Sequence, residues 1–219
     1  TFANVELVTQ SIAAYLKETG RASQGIVIGY DNRFLAEQFA AKVGEVLAGN
    51  GIPVFFTAKP CPTPVTALAI LEHRAAGAIM LTASHNPPEY NGIKFIPEYA
   101  GPAIPAITNR IEEYLVGVVE KGKVEKISKE EALKKGLWTE IFPQQNYLRA
   151  LAKIINLKAI ENAGLSIVVD PMFGAGIGYL ESLLKDVCRI ASIHSRRDPL
   201  FGGSLPEPTG VNLATLKQE

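Results

Sequence analysis

The side chains best suited to chemistry fall in one short stretch, Met80-Leu-Thr-Ala-Ser-His-Asn-Pro-Pro-Glu-Tyr-Asn-Gly-Ile-Lys-Phe-Ile96. Ser84 supplies a hydroxyl that could act as a nucleophile or carry a phosphoryl group. His85 supplies an imidazole, Asn86 a carboxamide, and Lys94 an amine. Pro87 and Pro88 fix φ and stiffen the turn, and Asn91-Gly92 predicts a tight reversal at positive φ. The apolar run from Ala78 to Leu81 predicts a buried strand running into this loop, and Ile93 to Ile96 a second short strand leaving it. α/β proteins place reactive groups on such loops, at the ends of buried strands.

Each of these residues also has a plainer reading. A hydrolase would pair Ser84 with His85 as base. Neighbours in an extended segment point to opposite sides, so the adjacent imidazole is badly placed for that task. The G-x-S-x-G elbow of such enzymes is missing as well. Taken by itself Lys94 reads as a solvated lysine at a strand edge. Asp31 reads as a helix cap and Arg33 as a surface residue.

The elements that would position the loop are readable on both sides of it. Val5, Val8, Ile12 and Leu16 share one helical face, and Gly20 is a natural stop. Gly25 to Gly29 predicts a short buried strand leading into Tyr30-Asp-Asn-Arg33. A helix with Leu35, Phe39, Val43, Val46 and Leu47 inward ends at Gly49-Asn-Gly51, and Ile52 to Thr57 predicts another strand. After Pro60-Cys-Pro-Thr-Pro64, Thr63 is placed to cap a helix running to about Leu71. Alternating strands and helices of this kind predict a largely parallel sheet covered on both faces.

Beyond Phe95 the rhythm loosens. Ile104 to Val118 predicts a helix with Ile107, Ile111 and Leu115 inward, and Ser128-Lys-Glu-Glu131 has the form of a capping box. A helix from about Phe142 carries Tyr147, Leu148, Leu151 and Ile154. A fresh strand–turn–helix–strand unit follows: Leu165 to Asp170, Pro171 to Gly178, Ile177 to Lys185, Cys188 to His194. The change of rhythm places a domain boundary at 144, giving units 1–144 and 145–219.

Composition bounds the function. The 219 residues are 47% hydrophobic and 20% charged, with 22 basic and 22 acidic side chains. A formal charge of zero gives no electrostatic case for nucleic acid or an anionic membrane as partner. No apolar run approaches the roughly 20 residues needed to span a bilayer. Thr1-Phe-Ala-Asn lacks the basic and apolar regions of a signal peptide. Cys61 and Cys188 are far apart and fit a reducing compartment better than a disulfide framework. The chain opens without Met and closes on Ala214-Thr-Leu-Lys-Gln-Glu219, read as helix, so both ends are expected to be cut. His73 and His194 have no second ligand at helical or strand spacing and read as surface or satisfied histidines.

The glycines of Val169-Asp-Pro-Met-Phe-Gly-Ala-Gly-Ile-Gly178 miss the dinucleotide spacing. The Asp-Pro-x-x-Gly-x-Gly order is similar to that of some S-adenosylmethionine methyltransferases, which gives a rival reading of another class. A non-catalytic phosphate-binding module is a second rival.

Thr82-Ala-Ser-His-Asn-Pro87 with Asn91-Gly-Ile-Lys94 closely resembles the phosphoserine loop of the α-D-phosphohexomutases, T-A-S-H-N-P followed by N-G-x-K. Gly29-Tyr-Asp-Asn-Arg33 resembles the family's G-x-D-x-R element. The turn at 170–178 resembles the structural D-x-x-x-G-x-G turn opening its second domain. Asp198 to Pro208 with Asn212-Leu213 resembles the segment before its metal loop. The D-G-D-x-D-R metal loop, the sugar-reading G-E-x-x motif, the final phosphate-binding domain and the opening G-T-x-G-x-R segment are not among these residues.

The resemblance implies two three-layer α/β domains with mostly parallel sheets, the first lacking its first strand and the second incomplete. It implies a cytoplasmic phosphoglucomutase or phosphomannomutase interconverting hexose 1- and 6-phosphates, with phosphoglucosamine mutase as the alternative within the family. Ser84, Lys94 and His85 would be catalytic: Ser84 carries the phosphoryl and contributes a metal ligand, and Lys94 shuttles protons. Asp31, Arg33, Asn86 and Asn91 would lie near the site. Mg²⁺ and glucose 1,6-bisphosphate are the implied cofactor and intermediate, and a hexose phosphate the implied partner. The residues in hand would be inactive by themselves. The physical case for a phosphoserine is one of charge, since its phosphate carries about −1.5 to −2 charges and needs cations and a stiff loop to aim it.

Overall fold

β1 (Ile26–Tyr30) and β3 (Gly77–Leu81) are buried along their whole length, as strands covered on both faces must be. The computed structural model describes residues 1–218, and in it five strands form one sheet in the order β4-β3-β1-β2-β5. β2 (Val54–Thr57) and β3 flank β1 in parallel, β5 (Trp138–Ile141) continues parallel beyond β2, and β4 (Ile93–Pro97) returns antiparallel to β3.

Period-two alternation sorts the strand residues between two helical layers. Ile26, Ile28 and Tyr30 pack with Ile12 and Leu16 of α1 (Phe2–Glu18) and Val43 and Leu47 of α2 (Ala36–Gly49). Val27, Ala78 and Met80 face the other way, onto Ala69 and Ile70 of α3 (Thr63–His73). Fully burying one such aliphatic side chain contributes about 1.5–3 kcal/mol, so the two faces together fix the register. α4 (Pro105–Lys121) packs on α1, and α5 (Lys129–Lys134) on α2. Ser128 caps α5 by accepting from the Glu131 N–H, as its sequence predicts.

After α6 (Gln144–Ile154) and α7 (Leu157–Asn162), a second, smaller parallel sheet pairs β6 (Ser166–Val169) with β7 (Arg189–Ser192) across α8 (Tyr179–Leu184). Among the described residues no helix is long and apolar enough to cross a membrane.

Several expectations need correction. Thr63 is the first residue of α3, with Pro62 at the cap position and no side-chain cap, because the rigid Pro-x-Pro entry already sets the backbone. Only Ile111 of the expected inner face of α4 is buried. In α6 Leu148 is buried while Ile154 is 80% exposed. The last residues form turns and a 3₁₀ turn, Leu216–Gln218, where a helix was expected. β5 and α7 were not anticipated. Trp138 and Ile141 are buried while Thr139 and Glu140 are exposed, an i, i+3 spacing that reads as helix and not as strand.

Candidate active site

The chain crosses β1 between two βα units that lie on opposite faces of the sheet. From β1 it runs through α2 to β2, then through α3 back to β3 on the other side. The carboxyl ends of β1 and β3 therefore border a topological switch point, where open α/β sheets form their crevices. Asp31, which follows β1, and Thr82 and Ser84, which follow β3, line a crevice of about 380 Å³. Asp170, Gly174 and Phe201 of the second unit form the opposite wall.

Ser84 is exposed and has φ 57°, the left-handed conformation. A residue with a β-carbon held there stores of order 1–3 kcal/mol of strain, so neighbouring contacts must hold it. Its N–H donates to Thr82 Oγ1 at 3.0 Å, and Thr82 N–H extends the β3–β4 ladder by donating to Gly92 O at 3.0 Å. The expected positive φ at Asn91-Gly92 is absent. Gly92 is required for a different reason: a β-carbon there would lie 2.9 Å from the Thr82 carbonyl oxygen. Asn91 Oδ1 accepts from the Gly92 N–H at 2.9 Å.

The twisted backbone also revises the Ser84–His85 geometry. The segment is not extended there, and Ser84 Oγ lies 3.4 Å from His85 Nδ1. That is longer than a hydrogen bond suited to deprotonating a hydroxyl.

Beneath the loop lies Arg33, fully buried. Its Nη2 donates to the carbonyls of Ser84 (2.9 Å) and Asn86 (2.7 Å), and its Nη1 to those of Pro87 (2.8 Å) and Tyr90 (3.0 Å). Nε has no aligned acceptor but lies 3.2 Å from Asp31 Oδ2, which balances the buried charge. Arg33 is thus no surface residue: it is buried under the loop, where four carbonyls satisfy its planar fork of donors. Burial pushes the Asp31 carboxyl up from its ordinary pKa, opposed by hydrogen bonds from Thr82 and the Arg33 N–H and by the Arg33 charge.

Lys94 is exposed and pairs with Met80 across the antiparallel β3–β4 ladder. Directly opposed residues share a sheet face, and Met80 lines the crevice, so Lys94 lies on that face near the carboxyl end of β3. Asn86 is exposed and contributes its backbone carbonyl to the Arg33 contact.

Four features escaped sequence reasoning. Asn32 is buried, and its Nδ2 donates to the carbonyls of Phe173 and Gly174, each at 2.9 Å, joining the two units. The Phe201 ring lies 5.2 Å below the Arg33 guanidinium carbon. Thr82 supplies the acceptor for the Ser84 N–H. His194 is satisfied, as expected, by a partner that spacing did not reveal: Nδ1 is 3.0 Å from both oxygens of Asp170, whose side chain is 1% exposed. Asn32 and Thr82 carried a signal, their places inside the Asp31-x-Arg33 element and the Thr82-Ala-Ser84 motif.

A crevice at a switch point, walled by a second α/β unit and entered by a strained, clamped serine loop, defines an α/β protein of two units. Residues 1–118 match the family model described as phosphoglucomutase/phosphomannomutase, alpha/beta/alpha domain I, and residues 145–218 that for domain II. The chain belongs to the phosphoglucomutase/phosphomannomutase family.

A phosphoglucomutase from Komagataeibacter xylinus is 32% identical over 207 residues, which are 89% of this chain and 37% of that protein. A probable phosphoglucosamine mutase from Methanobrevibacter smithii is 29% identical, over 95% of this chain and 44% of that protein. The solved structure of a Thermus thermophilus protein described as a phosphomannomutase superposes with a TM-score of 0.86 at 32% identity. It covers 99% of this chain, which spans 47% of that one. The chain thus spans less than half the length of these relatives.

The family implies Mg²⁺, which takes about six oxygen ligands in a near-octahedral array. Ser84 offers one oxygen. The crevice carboxylates are engaged, Asp31 by Arg33 and Asp170 by His194 and the Met172 N–H. Among the described residues no three His, Cys, Asp or Glu side chains group to hold a metal. The residues present do not by themselves fit Mg²⁺.

Proposed function

We propose that the whole protein is an intramolecular phosphotransferase that interconverts hexose 1-phosphate and hexose 6-phosphate through a phosphoserine at Ser84. The observation that carries this reading is the presentation of Ser84: exposed, in a strained conformation, at the carboxyl end of β3 and on the crevice wall. A hydroxyl so placed can pass a phosphoryl in line to a sugar held in the crevice, and catalysis of such transfers rests on positioning and electrostatics.

Phospho-Ser84 transfers its phosphoryl to the free hydroxyl of a hexose phosphate. The Ser84 Oγ–P bond breaks, a sugar O–P bond forms, and the hydroxyl proton passes to a base. The sugar bisphosphate reorients, and Ser84 recovers a phosphoryl from the other end as the proton returns. Lys94, exposed on β4 opposite Met80, is the residue we assign to that proton. His85, beside the hydroxyl, and Asn86 and Asn91 complete the loop. We assign the remaining ligands for Mg²⁺ and the groups that read the sugar to the part of the relatives' length that this chain does not span, and we place the domain boundary at 144.

Glucose and mannose phosphates are the substrates we favour, with glucosamine phosphate the alternative that the names of the relatives also support. The methyltransferase reading loses support because the carbonyls of the glycine-rich turn are occupied by Asn32 of the first unit. Turnover of glucose 1-, mannose 1- and glucosamine 1-phosphate by the full-length protein, with intact mass before and after glucose 1,6-bisphosphate, tests the proposal. Absence of a phosphorylated Ser84 in a protein that turns over any of them would refute it.

A further inference from the structure

Arg33 has no hydrogen-bonding edge left for a ligand. Both terminal nitrogens are spent on backbone carbonyls of the Ser84 loop, Nε faces Asp31, and the guanidinium carbon lies over the Phe201 ring, 5.2 Å from its centroid. The four acceptors span Ser84 to Tyr90, and Ser84 itself is both strained and clamped by its own carbonyl. A strained residue keeps its geometry only where the surroundings over-determine it. Here the surroundings are one side chain from the first unit, backed by one ring from the second.

We infer that Arg33 is a positioning residue for the Ser84 loop and that Phe201 makes this clamp depend on the seating of the second unit. Arg33 does not bind the phosphate of a substrate. It holds the backbone from which Ser84 is presented, and the adjacent Asn32, bonded to Phe173 and Gly174, anchors the same segment to the second unit. The catalytic consequence rests on the phosphoserine reading; the structural one does not.

The test uses the full-length protein. Arg33→Lys keeps the charge but offers three donors on one nitrogen, which cannot span four carbonyls. Amide hydrogen exchange at residues 84–86 and 89–92 should rise about tenfold or more relative to the β1 amides, since loss of the clamp frees the loop locally. A displacement of about 1 Å at the reacting oxygen lowers kcat about 10²-fold, with the KM for glucose 1-phosphate held within about threefold. Guanidinium added to Arg33→Ala should restore part of kcat where ammonium does not. Unchanged loop exchange would overturn the inference. So would a KM raised tenfold or more at constant kcat, which would make Arg33 a substrate ligand.

If the Arg33 variants fail to fold, Phe201→Leu decides. It keeps apolar volume but removes the ring under the guanidinium, and loop exchange should rise about two- to fivefold, the worth of one cation–π contact. No rise would again overturn the inference. A wild-type protein whose loop exchange depends on Arg33 but whose Ser84 is never phosphorylated would sink the proposed function and leave the clamp standing.

Discussion

Ser84 Oγ lies 3.4 Å from Nδ1 of His85, its immediate neighbour in sequence. In an extended segment the two side chains would diverge, and it is the left-handed backbone at Ser84 that brings them to one side. The separation is longer than the about 2.6–3.2 Å of a base already poised to take the proton. A serine that passes a phosphoryl back and forth must then exchange its proton with another group, the role proposed for Lys94.

Ser84→Ala in the full-length protein should therefore abolish mutase turnover and remove a mass increment of about 80 Da. Side-chain truncation leaves the Arg33 contacts intact, because all four go to backbone carbonyls. The thermal midpoint should change little. Near-normal turnover by the variant would end the phosphoserine proposal.

Lys94→Ala should lower kcat by about 10²–10⁴-fold, the usual contribution of a general acid–base group, with the fold retained because Lys94 is exposed. Lys94→Arg should not rescue, since a guanidinium does not release its proton at neutral pH. Steady-state kinetics on the two variants decide the matter, and restoration by Arg would reduce the role to charge.

Asp31 should leave a signature in stability against pH. Burial raises its folded-state pKa above the unfolded value of about 3.9. The folded state then binds more protons across the interval between the two values, so the Asp31 contribution is greatest below the lower one. It falls as pH rises through the folded-state pKa and is level above it. The difference in urea-unfolding free energy between wild type and Asp31→Asn should follow that course. A difference that grows with rising pH would contradict the sign.

Asn32→Asp should be worse than Asn32→Ala. The amide of Asn32 donates to two carbonyls of the second unit, and a carboxylate would set negative charge against both. Loss of two hydrogen bonds in Asn32→Ala is worth about 1–3 kcal/mol, with a further cost for the buried charge in Asn32→Asp. Chemical denaturation should rank them in that order. Equal stabilities would show that the contact contributes nothing.

Residues 1–219 by themselves are expected to bind Mg²⁺ weakly and to show no mutase turnover. The crevice carboxylates are already committed to Arg33 and His194, and among the described residues no three His, Cys, Asp or Glu side chains group to hold a metal. Calorimetric titration with Mg²⁺, before and after phosphorylation of Ser84, measures this. Micromolar binding, or conversion of glucose 1-phosphate, would mean that these residues already complete a site.

The sequence by itself determined the strands and helices whose burial is periodic, and with them the layered α/β class. β1 is legible as a short run of adjacent apolar residues, and strand geometry then turns Ile26, Ile28 and Tyr30 to one layer and Val27 to the other. The serine loop was equally legible, since hydroxyl, imidazole, paired prolines and lysine stand within a few residues of one another. β5 was not, because its burial at Trp138 and Ile141 alone lacks the period of two that marks a strand.

Only the tertiary structure decided what Arg33, Asn32 and His194 do. The acceptors of Arg33 lie 51 to 57 residues away, and those of Asn32 lie 141 and 142 away. All six are backbone carbonyls. Every residue carries such a carbonyl, so no choice of side chain marks which ones will be met. Asp170 does carry its own mark, but it stands 24 residues before His194, and only the parallel pairing of β6 with β7 sets the two side by side. Local pattern fixes which way a side chain points within its own element. Which partner it then meets depends on how the sheet orders its strands, a choice made by the packing of the whole chain.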